Sequence, residues 1–205
     1  MSVGTFAELQ TAISDRLART DFTAAQLQEC IAFAESRMQR LLRTMDMETK
    51  SATLTVDAEY VSLPTDFLGV RAFYVNSTPR KTLELRDPEY IAQLNANGTT
   101  TATPEFYCIL AGKFQFAGIP TGSNTATLVY YTKIPALSVS NTTNWMLTAH
   151  PDAYLYGSLM EASIRTQDPE GAQGYGQLFQ DSLGSIMKST NKQRWGGPAP
   201  VTRAG

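Results

Sequence analysis

His150 is the only histidine in the 205 residues, and it stands immediately before Pro151. As a general base or metal ligand it would need a Ser or Cys in a nucleophile motif, an HExxH pair or a second imidazole. The sequence supplies none of these. The proline instead pushes His150 toward extended backbone, which suits a residue at or beside a helix cap. Asp66, Asp87 and Asp168 lie beside proline or at turn and helix-start positions, where accepting backbone N–H groups explains them. No carboxylates show calcium-loop or paired-acid spacing, and the glycines form neither a dinucleotide fingerprint nor a phosphate loop. The residues therefore point to no catalytic apparatus, no cofactor and no metal.

What remains is recognition chemistry. Arg37, Arg40 and Arg43 step by three along a helical stretch, off its apolar face. They are either a solvated helix face or a contact stripe toward an acidic neighbour, since arginine is favoured at interfaces. Phe33 lies off the apolar stripe near Arg37 and favours the contact reading. Trp145 with Tyr130, Tyr131, Tyr154 and Tyr156 could line a ligand pocket or form a seam between a sheet and a helical bundle. Trp195 sits in the run NKQRWGGPAPVTRAG. No acid follows Asp181, whereas Lys188, Lys192, Arg194 and Arg203 do. A cationic segment with one large aromatic is a peptide ligand for a groove on a partner.

The elements that position these residues follow from periodicity. Thr5 with Glu8, and Thr23 with Gln26, have capping-box spacing, and Phe22 with Leu27 occupies the positions of a hydrophobic staple. Phe6, Leu9, Ile13 and Leu17 recur at helical intervals, as do Leu27, Ile31, Ala34, Met38, Leu41 and Leu42, which predicts a helical hairpin over 1–50. From about Ser51 the period changes to two. SATLTV and AEYVSL read as a hairpin about Asp57 and Ala58, followed by the strands VRAFYV, KTLELR, EFYCILA, KFQFAG and TATLVYYTK. Ala111-Gly112 is the clearest hairpin turn. Asp87 and Pro88 open a short helix that ends near Asn97, and TTTAT after it reads as a loop. After Ile134 the helical period returns. One helix starts at Pro151 with Leu155, Leu159 and Ala162, another at Asp168-Pro169 with Tyr175, Leu178, Phe179, Leu183 and Ile186. Gly-Gly and two prolines after Asn191 predict that the last helix stops there and 191–205 runs extended.

Together these predict an α+β fold. A helical bundle built from the N-terminal (1–50) and C-terminal (134–190) helices carries an inserted antiparallel β module (51–133) and an extended tail (191–205). The 42% apolar content supports a real core, and a net charge of −2 gives no global case for nucleic-acid binding. The longest apolar runs fall far short of the ~18 residues of a membrane span, and MSVGTFAELQ does not read as a secretory signal. Cys30 and Cys108 read as free, buried side chains, consistent with a reducing cytoplasm.

Three segments carry a resemblance: 128–162 (LVYYTKIPALSVSNTTNWMLTAHPDAYLYGSLMEA), 63–84 (LPTDFLGVRAFYVNSTPRKTLE) and 103–120 (TPEFYCILAGKFQFAGIP). They resemble the phage head-tail adaptor family. The resemblance implies a structural virion protein at the head-tail junction, assembled in the host cytoplasm. Its copies would form a homo-oligomeric ring, generally of twelve, beneath the portal protein. The ring would extend the DNA channel without sequence-specific DNA binding and present a platform to a downstream tail component, with no membrane involved. It also implies that the tail reaches into the portal, which by position assigns portal contacts to Lys192, Arg194, Trp195, Pro198, Pro200, Val201 and Arg203. Phe33, Arg37, Arg40 and Arg43 become candidate inter-subunit contacts. A receptor- or carbohydrate-binding tail protein using aromatic strand faces is the rival reading. A virion-borne cell-wall hydrolase, the enzyme alternative, lacks a nucleophile, metal site or paired acids.

Overall fold

Thr5 and Thr23 open the first two helices through the boxes their spacing predicts. Each hydroxyl accepts the N–H three residues on, and the side chains of Glu8 and Gln26 accept the cap N–H groups in return. These helices are α1, Phe6–Leu17, and α2, Ala24–Leu41. The stripe of α2 buries Leu27, Cys30, Ile31, Ala34 and Met38. The computed structural model describes residues 3–19, 21–96, 100–101, 103–120 and 124–196. It divides into two units: Met1–Asp46 with Ile134–Gly205, and Met47–Lys133, which is inserted into the sequence of the first.

After a 3-10 turn, Met45–Met47, the inserted unit runs β1 Glu48–Val56, β2 Tyr60–Ser62, β3 Phe67–Val75, β4 Lys81–Thr82 and β5 Glu84–Leu85. Next come α3 Pro88–Ala96, β6 Thr100–Thr101, β7 Phe106–Leu110, β8 Lys113–Phe116, β9 Ile119–Pro120 and β10 Asn124–Thr132. One sheet is ordered β1-β10-β3-β4 and another β2-β8-β7-β5, with β6 and β9 as a separate pair. The module is mixed rather than wholly antiparallel, because β5–β7 and β6–β9 pair in parallel. The connection from β5 to β7 carries α3, and a crossover of that length returns the chain in the same direction. Thr100–Thr101, expected within a loop, is the strand β6.

Two sequence expectations about pairing need correction. β1 and β2 do not form a hairpin about Asp57 and Ala58; β1 pairs with β10 and β2 with β8. A strand of 9 residues gains a longer ladder from the 9 residues of β10 than from the 3 of β2. KTLELR likewise divides between the sheets. It crosses at buried Leu83, whose N–H donates to the Phe73 carbonyl at 2.8 Å. The Ala111-Gly112 turn forms as predicted between β7 and β8, with φ of 48° and 73°, the left-handed pair that a type I′ hairpin requires. Phe73, Tyr107, Phe114, Phe116, Leu128 and Tyr130 share one core drawn from both sheets, with the Phe73 and Phe114 rings 5.0 Å apart.

The chain re-enters the first unit with α4 Trp145–Ala149, α5 Pro151–Arg165 and α6 Pro169–Trp195. Prolines stand at the starts of α5 and α6, and the Asp168 side chain accepts the Gly171 N–H to cap α6. The expected stop at Asn191 is wrong, because α6 continues through Trp195. Lys192, Gln193 and Arg194 are good helix formers, and the breakers begin only at Gly196. Leu41, expected in the core, is 48% exposed. Tyr154 faces Glu35 and α5 begins three residues earlier, so the last turn of α2 runs past the start of its partner. Leu178, expected on the buried face of α6, is 44% exposed, while its neighbour Phe179 is fully buried.

Candidate interface surfaces

α5 is the axis of the helical unit. A Cβ on Gly157 would come 2.9 Å from the Phe179 ring and 3.1 Å from the Ala34 Cβ, so α2 and α6 both close on α5 at this level. One turn away lies a buried polar cluster. The Glu35 carboxylate accepts the Leu137 N–H at 2.8 Å and the Tyr154 hydroxyl at 3.0 Å. The Asn144 amide donates to the Tyr154 oxygen and to the Pro135 carbonyl, both at 2.7 Å, and its oxygen accepts the Leu147 N–H at 2.8 Å. Burial raises the Glu35 pKa, and the two donors oppose that rise. Burial and the nearby carboxylate push the Tyr154 hydroxyl far up. Glu35 is 3% exposed and Tyr154 0%, so the cluster presents no face to a substrate. It fastens residues 135–147, part of the 128–162 segment that carries the resemblance, onto α2 and α5.

The aromatic candidates separate accordingly. Tyr154 belongs to this helical cluster, whereas Tyr130, on β10, stacks on Phe67 at 5.8 Å and donates to Asp66 at 3.1 Å. Both hydroxyls are engaged in structure. His150 is at once the last cap of α4 and the first of α5; its N–H donates to the Met146 carbonyl at 2.8 Å, and its side chain makes no cap bond. Cys30 and Cys108 are buried free thiols, and burial pushes Cys30 up to about 11. Among the described residues no three His, Cys, Asp or Glu side chains converge, and no helix is long and apolar enough to cross a membrane.

The arginine stripe divides into three different situations. Arg37 pairs with Glu161, a nearly buried carboxylate on α5. Arg40 donates to the Ser36 hydroxyl at 2.8 Å, and Arg43 donates to the Gln39 carbonyl at 2.7 Å near the end of α2. Phe33, Ser36, Arg37, Arg40 and Glu161 line a surface groove of about 380 Å³, with Phe33 52% exposed on its lip. Elsewhere in the unit, Lys192 is exposed on the last turns of α6, Arg194 is half-buried, and Trp195 is the final helical residue. Pro198, Pro200, Val201 and Arg203 lie outside the described residues. Sequence reading missed Glu35 and Glu161. Their signal is an acid set inside an apolar window, AFAESRM and SLMEASI, where a carboxylate needs a partner.

Helices of the first unit thus present exposed cationic and apolar groups, and the polar cluster between them is buried. The model of the SU10 adaptor protein family matches residues 4–204, and the chain belongs to that family. It is a phage adaptor protein, as the resemblance in its middle segments implies. No curated protein matches the chain.

Proposed function

We propose that the chain forms a ring, of twelve copies, beneath the portal at the head-tail junction. There it extends the DNA channel and presents a platform to the next tail component. The family match over residues 4–204 carries this reading, since it includes the C-terminal run together with both units. A net charge of −2 suits a conduit through which DNA passes without being held. Copies assemble in the host cytoplasm and stay monomers or small oligomers until the portal gathers them, so that many weak contacts close the ring together.

The C-terminal segment is the portal anchor. Because α6 persists through Trp195, the anchor starts as a helix end carrying Lys192, Arg194 and Trp195, and continues through Pro198, Pro200, Val201 and Arg203. A buried tryptophan removes ~150–250 Å² from water, about 4–6 kcal/mol before ordering costs. Fixing backbone costs ~1–2 kcal/mol per residue, so Arg194, Arg203 and backbone pairing must contribute too. Truncation after Thr190 removes a stretch whose residues 191–193 are exposed, and should leave a folded protein. That protein is expected to stay in the supernatant when packaged, tailless heads are sedimented, whereas the full chain pellets with them. Equal co-sedimentation would move the anchor to the helical unit.

A further inference from the structure

α6 turns Phe179 onto α5, and by the 3.6-residue period Glu170, Gly174, Gln177 and Asp181 fall on its far side, followed by Lys188 and Lys192 nearer its end. All of these are exposed, and half-exposed Leu178 borders them. A Cβ at Gly174 would meet nothing within 4 Å, and the same holds at Gly184. Packing inside the chain therefore requires neither glycine, although each weakens the helix relative to alanine. The side chain of Asp181 has no hydrogen bond or ion pair among the described residues. The groove between α2 and α5 holds the Arg37–Glu161 pair and, beside it, cationic groups without an acid among the described residues. Arg40 bonds only a neutral hydroxyl, Arg43 bonds backbone carbonyls, and Phe33 stands open beside them.

Resting on the ring reading above, we infer that adjacent copies join head-to-tail, with the outer face of α6 in one copy seated in the Phe33–Arg40 groove of the next. Charge complementarity at one contact selects this occupant: the unpaired Asp181 carboxylate, with Leu178 beside it, meets Arg40, whose guanidinium lacks an acid, next to exposed Phe33. In this register Lys188 and Lys192 fall past the end of α2, and Glu170 falls opposite Glu29, which Arg165 already pairs. The spacing agrees. Phe33 and Arg40 are seven residues apart, as are Gly174 and Asp181, ~10.5 Å along a helix. Two helices side by side thus set Phe33 over the bare backbone at Gly174 and against Leu178 while Arg40 reaches Asp181. The outer face of α6 is turned away from α5, whose Glu161 lines the groove, so one copy cannot satisfy its own groove. Two different surfaces that match each other repeat from copy to copy, as a cyclic ring requires.

The test counts full-length copies bound to purified portal by mass, for wild type and for D181R, R40D and their combination. Each single reversal sets like charges face to face and should weaken assembly about tenfold or more. The double variant should regain assembly. An equimolar mixture of the two single variants should regain it as well, because alternating copies restore opposite charges at every junction. Melting curves confirm that each variant is folded. Single reversals that assemble like wild type, or folded singles whose mixture does not recover, overturn the contact and leave the ring reading intact. Wild type adding one copy or none per portal overturns the ring reading and the contact with it.

Discussion

α5 and α6 are consecutive helices packed on each other, yet they are built for different surroundings. α5 is buried from Ala153 through Ser163 except at half-buried Tyr156, and it accommodates that crowding with Gly157 where Ala34 and Phe179 press on it. Among its residues whose burial is described, α6 buries Phe179, Ser182, Leu183, Ile186 and Thr190. Its remaining surface carries half-exposed Leu178, exposed Asp181, and Gly174 and Gly184, two glycines that weaken the helix and whose Cβ positions meet nothing among the described residues. The same residue type has opposite meanings in the two helices. Gly157 lets three helices meet, and Gly174 leaves a bare surface. The difference teaches that α5 serves the fold while the free face of α6 is available for assembly.

Substitutions can break that contrast, beginning with the largest effect. Phe179→Ala should destabilise the chain by about 3–5 kcal/mol in chemical denaturation, because the ring is fully buried against α5. Leu178→Ala, one residue earlier and exposed, should stay within about 0.5 kcal/mol. Equal effects would mean that the two faces of α6 are misassigned. Gly157→Ala should cost about 1–3 kcal/mol by overpacking against Phe179 and Ala34. Gly174→Ala and Gly184→Ala should each add about 0.5–1 kcal/mol, since they meet open space and alanine favours helix. Thermal melts that rank all three alike would remove the contrast.

Glu35 sharpens the comparison through pH. Burial raises its folded value above the 4.5 of an ordinary glutamate, so the folded state keeps this proton to higher pH than the unfolded chain. Its contribution to stability is fully present below the unfolded value and is lost as pH rises through the raised one. Glu35→Gln keeps an oxygen for Leu137 and Tyr154 without the buried charge. It should melt at least as high as wild type near neutral pH, with the difference closing toward pH ~4. Glu35→Ala leaves both donors unpaired and should cost about 1–3 kcal/mol. A Gln variant as unstable as the Ala variant would show that the charge itself holds residues 135–147. The smallest effect belongs to Leu41→Ala, expected within about 0.5 kcal/mol because its side chain is half-exposed.

Local signals were legible in the sequence, and partners were not. Thr5, Thr23 and Asp168 announce their helices because a cap and its N–H lie three residues apart. Ala111-Gly112 announces its hairpin for the same reason of proximity. The partners of β1 and β2 are set more than fifty residues away, so alternation identified the strands and mispaired them. Leu41 has the correct angle on its helix, and only the starting point of α5 leaves it exposed. Of the candidate site, the groove residues Phe33, Arg37 and Arg40 were visible as a stripe. Glu161 opposite Arg37 and the exposure of Asp181 on α6 depend on how three helices meet, which spacing within one helix does not encode.

Mass measured on the wild-type protein, alone and bound to purified portal, tests most directly whether this chain is an adaptor gathered by its portal. The protein alone should be a monomer or small oligomer, and the portal should gain the mass of many copies, twelve for a full ring. A portal whose mass is unchanged, or a large ring that is stable without any portal, would contradict it.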